Sequence, residues 1–267
     1  MVSDSVQIPI RLLRLQKEQW LPHYRIQTLQ WRRLKRIVQH AYDKTTFYRR
    51  QFESAGITPE DIRDWQDFKL IPLTRREHLR NPEDLIARGY SIEKMYKSSS
   101  SGSLGKRTTT YFDPNAWILG KYLLKLRARW ACNVRPHDRM AIFSENNSSS
   151  ERWKRLILRK KTFSVLEPVG NHLESLHRFD PTVMYGFPSY FSMLADTDYP
   201  VSRPIPLFTS SEMIERGTRE KLRNRFGADV YDIYGSTEIK EIAWECPKFC
   251  GYHINADWMV VEFLPFT

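Results

Sequence analysis

The sequence predicts an α/β protein in which a helical N-terminal segment precedes a sheet core. Three observations carry the prediction. Apolar residues between positions 16 and 55 recur at helical spacing, as Leu29, Leu34, Ile37, Val38 and Ala41 show. From residue 115 onward short apolar runs alternate with helical stretches. Polar Ser/Thr/Gly turns follow several of those runs directly, where open α/β sheets place their ligand sites. The division expected is a helical segment over 1–95 and an α/β part over 96–267.

Within 1–95, Trp20, Tyr24, Trp31, Tyr42, Phe47 and Tyr48 make the first helical region rich in aromatic rings. Arg32, Arg33, Lys35 and Arg36 lie between its apolar positions, as on the solvated face of an amphipathic helix. Thr58 followed by Pro59 reads as the start of a second helix, and Thr74 as the cap of a third. Residues 97–110 read as a polar loop. Residues 115–130 read as a helix, with Ala116, Leu119, Leu123, Leu126 and Trp130 on one face. Arg139–Ser144, Val183–Tyr185, Pro206–Ser210 and Asp229–Tyr234 read as strands, and Asn146–Ser150 as a loop. Glu215–Arg225 reads as a helix closed by Gly227.

Composition narrows the classes. The chain has 267 residues, 41% hydrophobic and 27% charged, which excludes wholesale disorder. With 11 Gly and 15 Pro it is not collagen-like. No run approaches the roughly 18 apolar residues of a spanning helix. Three cysteines are too few for a secreted disulfide framework, and Met1–Ser5 lacks the order of a signal peptide, so a cytoplasmic, reducing location is expected. The net charge of +11 is uneven: 19 basic residues face 12 acidic over 1–100, 15 face 7 over 101–180, and 8 face 12 over 181–267. A basic front of this kind attracts nucleic acid, anionic surfaces or phosphorylated ligands. A basic, non-catalytic binding protein is therefore the alternative reading, although no paired zinc finger or RNP motif supports nucleic-acid binding.

The strongest local signal is Ser98-Ser99-Ser100-Ser101-Gly102-Ser103-Leu104-Gly105-Lys106. Small residues let backbone N–H groups converge on an anion, and the lysine adds charge. A Walker loop is excluded, because serine stands at 100 where its first glycine belongs and Arg107 stands where Ser or Thr belongs. A flexible polyserine tract is the plain alternative, but it leaves Gly102-x-x-Gly105-Lys106 unexplained. Two further polar turns follow strand candidates, Thr209-Ser210-Ser211-Glu212 and Tyr234-Gly235-Ser236-Thr237-Glu238. Three such turns at strand ends suit a single nucleotide.

In this order the motifs resemble the adenylate-forming (acyl-CoA synthetase-like) superfamily, and within it the phenylacetate-CoA ligase/CapK-like group. Segments 179–189 and 243–257, and the N-terminal region ending in Leu70–Thr74, share the resemblance. It implies the α/β core of the large domain of such an enzyme, with the incomplete nucleotide-binding part over 96–267. It implies a ligase that activates a small-molecule carboxylate with ATP and Mg²⁺ and passes the acyl group to a thiol, with coenzyme A the expected acceptor. By the resemblance Ser101, Gly102, Ser103, Gly105 and Lys106 hold the β- and γ-phosphates. Tyr234 stacks on adenine, with Ser211, Glu212, Gly235 and Ser236 around the nucleotide. Lys106, Thr237 and Glu238 take the catalytic roles, Thr237 on the α-phosphate and Glu238 on Mg²⁺. Tyr185–Ser189 and Ile239 line the acyl pocket.

The sequence departs from that pattern in places. Leu104 stands where threonine is usual and Arg107 where proline is usual. The ribose-binding aspartate and the small C-terminal domain with its catalytic lysine have no counterpart here. The expectation is a C-terminally truncated domain, inactive or weakly active, or one half of a split enzyme completed by a separate chain. Finally, Cys246-x₃-Cys250-x₂-His253 places two thiols and an imidazole within eight residues. That set suits Zn²⁺, although the spacing is not that of a finger and no fourth ligand is near; ordinary thiols with a structural histidine are the alternative.

Overall fold

The computed structural model describes residues 4–99, 108–145 and 159–263. The chain forms two compact units. The first comprises Met1–Leu124, Thr237–Lys240 and Asn255–Thr267, and the second Lys125–Ser236 and Glu241–Ile254. Among the described residues no helix is long and apolar enough to cross a membrane.

In the first unit the stretch expected to be helical is three helices: α1 (Asp4–Glu18), α2 (His23–Lys44) and α3 (Thr46–Ser54). The break after α1 falls at Pro22. The break after α2 falls at Thr45, whose hydroxyl donates to the Ala41 carbonyl (2.8 Å) and accepts from the Tyr48 N–H (3.2 Å). One side chain thus serves the end of α2 and the start of α3. Leu29 and Val38 face inward from α2, while Arg32, Lys35 and Arg36 face solvent. Arg33 is drawn in: it pairs with Glu18 at 2.8 Å, donates to the Asp257 carbonyl and lies over the Trp258 ring.

Two expected helix starts are corrected here. Thr58 N and Oγ1 both donate to Asp61 (2.8 and 2.9 Å), but they close only a 3₁₀ turn at Pro59–Asp61. Thr74 caps nothing; its hydroxyl donates to Tyr48 (3.2 Å). The next 3₁₀ turn, Arg76–Arg80, starts where His78 Nδ1 accepts from Arg75 N (3.0 Å). A single turn follows as α4 (Pro82–Leu85).

The polar stretch expected as loop is framed by an antiparallel hairpin, β1 (Tyr96–Ser99) with β2 (Thr109–Phe112), in the register Ser99 to Thr109. Thr109-Thr110-Tyr111-Phe112 supplies the β-branched and aromatic residues that favour a strand. The helix expected over 115–130 is present. It starts as α5 (Pro114–Ile118), capped by Asp113 Oδ1, passes through a π-turn at Leu119–Leu123, and continues as α6 (Leu124–Ala131).

The second unit is built on a sheet of seven strands in the order β4-β3-β5-β6-β7-β8-β9. They are β3 (Arg139–Ser144), β4 (Arg159–Ser164), β5 (Val183–Gly186), β6 (Leu207–Ser210), β7 (Val230–Ser236), β8 (Lys240–Glu245) and β9 (Tyr252–Ile254). Strands β4, β3, β5, β6 and β7 run parallel, and β8 and β9 pair antiparallel. Helices α7 (Leu173–Phe179), α8 (Pro188–Ala195) and α9 (Arg216–Phe226) connect the parallel strands. Their apolar faces and the sheet bury Ala141, Phe143, Met184, Phe191, Leu207, Leu222, Phe226 and Val230 in one core. Gly227, at φ +63°, ends α9 as expected. The loop expected at Asn146–Ser150 lies outside the described residues.

Candidate functional site

In the second unit, β5, β6 and β7 are parallel neighbours, with Gly186 opposite Thr209 and Ser210 opposite Ile233. Their carboxyl ends therefore lie side by side on one edge of the sheet, and each carries a segment singled out in the sequence. Phe187-Pro188-Ser189 leaves β5, Ser211-Glu212 leaves β6, and Tyr234-Gly235-Ser236 ends β7. Gly186 is needed where β5 ends: a Cβ there would lie 2.9 Å from Phe143 Cβ and 3.3 Å from Phe191 Cζ. Ser211 turns the chain in the left-handed region (φ +75°), and the Glu212 carboxylate then accepts from Ser189 N (3.1 Å) and Ser189 Oγ (2.9 Å). Glu212 thus ties the β6 loop to the start of α8. Tyr234 is 59% exposed, so this aromatic residue stands open to solvent at the strand end.

The same strands carry polar contacts that sequence reasoning missed. Asp232 accepts from Thr209 Oγ1 (2.9 Å) and from Tyr252 OH (2.8 Å), while Glu245 accepts from Asp232 N (2.9 Å) and pairs with Arg219 (2.8 Å). Lys125 donates to Tyr185 OH (3.0 Å) and lies 3.5 Å from the buried Glu241. Burial raises the Glu241 pKa against the pull of Lys125 and Arg129. No motif marks these residues, because their partners come from strands far apart in sequence.

In the first unit, Thr237 and Glu238 stand beside the hairpin that frames the phosphate-loop candidate. Thr110 Oγ1 donates to the Thr237 carbonyl (3.1 Å). Lys240, at φ +74°, donates to Ser98 Oγ at the foot of that loop, and its ammonium lies over Phe112 (4.7 Å) and Trp117 (5.3 Å). Gly120, in the π-turn, makes room for it: a Cβ there would meet Lys240 Cγ at 3.2 Å. Lys240 was not singled out by motif, and its position two residues after Glu238 is the signal available. Glu238 is exposed and borders a cleft of about 620 Å³ whose walls include Phe52, Ile71, Leu85, Ile86, Tyr111 and Ala116. Ser101, Gly102, Ser103, Gly105 and Lys106 lie outside the described residues.

The described residues bring together two of the three zinc candidates. No group of three or more His, Cys, Asp or Glu side chains placed to hold a metal ion occurs among the described residues. Cys246 and Cys250 do meet, with 3.4 Å between sulfurs, but His253 stacks on Trp244 at 4.3 Å between ring centres. Its neighbours on β9 alternate across the sheet, so the strand directs its ring to the Trp244 face rather than to the turn that holds the thiols. Burial lowers the His253 pKa and keeps the imidazole neutral.

Comparison with known proteins shows what this arrangement is similar to. The chain is 25% identical to the phenylacetate-coenzyme A ligase of Escherichia coli (strain K12) over 242 residues, 83% of this chain and 54% of that protein. The chain is a homologue of the phenylacetate-coenzyme A ligases. The enzyme of that name from Thermus thermophilus is 33% identical over 104 residues, 36% of this chain and 22% of that protein. The fold of this phenylacetate-CoA ligase homologue is that of 2-hydroxyisobutyryl-CoA ligase in complex with 2-HIB-AMP and CoA. There the TM-score is 0.70 at 20% identity, covering 86% of this chain and 53% of that one. An open conformation of the same ligase gives a TM-score of 0.69. The resemblance read from the motifs thus has homologues among the phenylacetate-coenzyme A ligases and the expected α/β fold behind it. No family model matches the sequence. The chain spans about half the length of the curated relatives it matches over most of its own length.

Proposed function

We propose that this chain is the nucleotide-binding portion of an ATP-dependent, carboxylate-activating CoA ligase. The observation that supports it best is the row of parallel strand ends on which Ser211-Glu212 and the Tyr234-Gly235-Ser236 start of the motif stand, in a fold shared with a CoA ligase. In this reading the face of Tyr234 stacks on adenine. Glu212, Ser211, Gly235 and Ser236 border the nucleotide, and the Ser189–Glu212 bonds hold their loop in place. Thr237 donates to the α-phosphate, and Ser101, Gly102, Ser103, Gly105 and Lys106 take the β- and γ-phosphates. Lys240 acts through Ser98 and holds the hairpin from which that loop springs. Glu238 presents an exposed carboxylate, the hard oxygen donor that Mg²⁺ takes alongside phosphate oxygens. The metal, when bound, neutralises charge on the phosphates.

A carboxylate oxygen attacks the α-phosphorus, pyrophosphate leaves, and the coenzyme A thiol then displaces AMP from the acyl carbon. The protein's share is positioning and charge stabilisation. The ribose anchor and the lysine that contacts the reacting carboxylate come, in this reading, from outside the residues present here, in a continuation or on a separate chain. A cytoplasmic setting, where ATP and coenzyme A are supplied, belongs to the same proposal.

Thermal melting with ATP and Mg²⁺ tests the binding step, and ATP–pyrophosphate exchange over aryl, fatty and amino acid carboxylates tests the chemistry. A melting temperature that rises with millimolar ATP supports the reading, and no shift overturns it. Exchange restored by a supplied C-terminal domain identifies a split enzyme.

A further inference from the structure

We propose that Cys246 and Cys250 are a modification site, a dithiol that closes reversibly to a disulfide by exchange with a small-molecule disulfide. The two sulfurs lie 3.4 Å apart across the turn that joins β8 to β9. The backbone around them is already fixed. Phe249 N donates to the Cys246 carbonyl (2.8 Å), and Cys246 N donates to the Gly251 carbonyl (2.8 Å). Phe249 (φ +54°) and Gly251 (φ +124°) turn the chain tightly enough to bring residue 250 back over residue 246. Forming the bond asks only that the sulfurs close to the roughly 2.05 Å of a disulfide by side-chain rotation. Little loop entropy remains to be lost, because the loop is short and held at both ends.

The two thiols have distinct places. Cys250 is exposed and meets an external disulfide, whereas Cys246 is buried behind it. Cys246 Sγ accepts from Lys248 N at 3.4 Å, which lowers its pKa and favours the thiolate; the bond from the Cys250 thiol adds to this. Cys132, the third cysteine, is buried, and its thiol is pushed up to about 12 chiefly by that burial. It serves as an internal control.

With oxidised glutathione the exchange balances. The exposed Cys250, whose pKa the Cys246 sulfur beside it raises, gives up its proton as it attacks one glutathione sulfur, giving a mixed disulfide and releasing one glutathione thiolate, which takes up that proton. The Cys246 thiolate then attacks the Cys250 sulfur and releases the second. The protein gives up two electrons and two protons, and the glutathione disulfide is reduced to two thiols. The closed ring staples β8 to β9, and through them Tyr252 and Glu245, which hold Asp232.

The experiment treats the purified chain with oxidised glutathione, traps free thiols with iodoacetamide after denaturation, and maps the products by mass spectrometry. The expected product has lost two hydrogens within the peptide spanning 246–250, carries one alkylated cysteine at 132, and returns to three alkylated cysteines with dithiothreitol. Cys246→Ser should instead hold glutathione on Cys250, and Cys250→Ser should leave Cys246 unmodified. Glutathione persisting on Cys250 of the parent chain would overturn the proposal, as would full alkylation of all three cysteines. Tightly bound zinc that shields both thiols in the purified chain would overturn it too, by making the pair half of a metal site. None of these readouts depends on ATP or on ligase turnover.

Discussion

Asp180 shows how much one side chain holds in place. It ends α7 in the left-handed region (φ +50°) and pairs with Arg203 and, at 2.6 Å, with Arg139, whose guanidinium also donates to the Asp180 carbonyl. The Arg203 bond, then the charges of Arg203 and Arg139, hold its carboxyl below the usual range. A depressed carboxylate contributes stability above its unfolded pKa of about 3.9 and loses it as pH falls through the folded value. Asp180→Asn keeps the tolerance for positive φ and removes the charge. It should melt lower at neutral pH and show a flatter decline below about pH 4 than the parent, a difference that thermal melts across pH will read. Lys240 offers a second residue-scale test. Lys240→Met removes both the ammonium that lies over Phe112 and Trp117 and its bond to Ser98. It should melt somewhat lower than the parent without nucleotide and also gain less from ATP, as differential scanning fluorimetry will show. Neither residue stands in a recognisable motif. Asp180 can be seen only once Arg139 and Arg203, 41 and 23 positions away, arrive beside it.

Elements were legible to the extent that their own residues pay for burial. Strands β5 and β6 bury most of their side chains and β3 half of its own, and all three read as apolar runs. Strand β4, Arg159–Ser164, lies at the sheet edge, where lysine and arginine side chains reach water; its basic sequence hid it. Strand β8 buries Glu241 beside Lys125, so its polar core position concealed a strand. The junction of α2 and α3 was hidden differently, since one threonine both ends and starts a helix. Thr45→Ala should therefore cost about 0.5–2 kcal/mol in urea melts, and Thr45→Ser should restore most of it. Gly186→Ala presses a methyl against Phe143 at the end of β5, and should cost about 1–3 kcal/mol by the same measurement.

For the whole molecule the prediction is linkage. If ATP with Mg²⁺ binds the folded chain alone, saturation at about a hundred times Kd adds about 2.7 kcal/mol to stability, and the melting temperature rises with ligand concentration. Glu238→Gln should weaken that gain when Mg²⁺ is present and change it little when EDTA replaces the metal, which separates the carboxylate's metal role from folding. The sequence by itself determined the α/β class, the order of the motifs and the resemblance they carry, because small polar turns after apolar runs are local patterns that survive in one dimension. Tertiary structure alone decided which turns are neighbours. It set Ser211-Glu212 and Tyr234–Ser236 on adjacent strands, clasped Lys240 to the hairpin, and joined Cys246 to Cys250 while His253 turned to Trp244. Strand pairing and side-chain direction are set by burial over the whole sheet, and no spacing of residues along the chain encodes them alone.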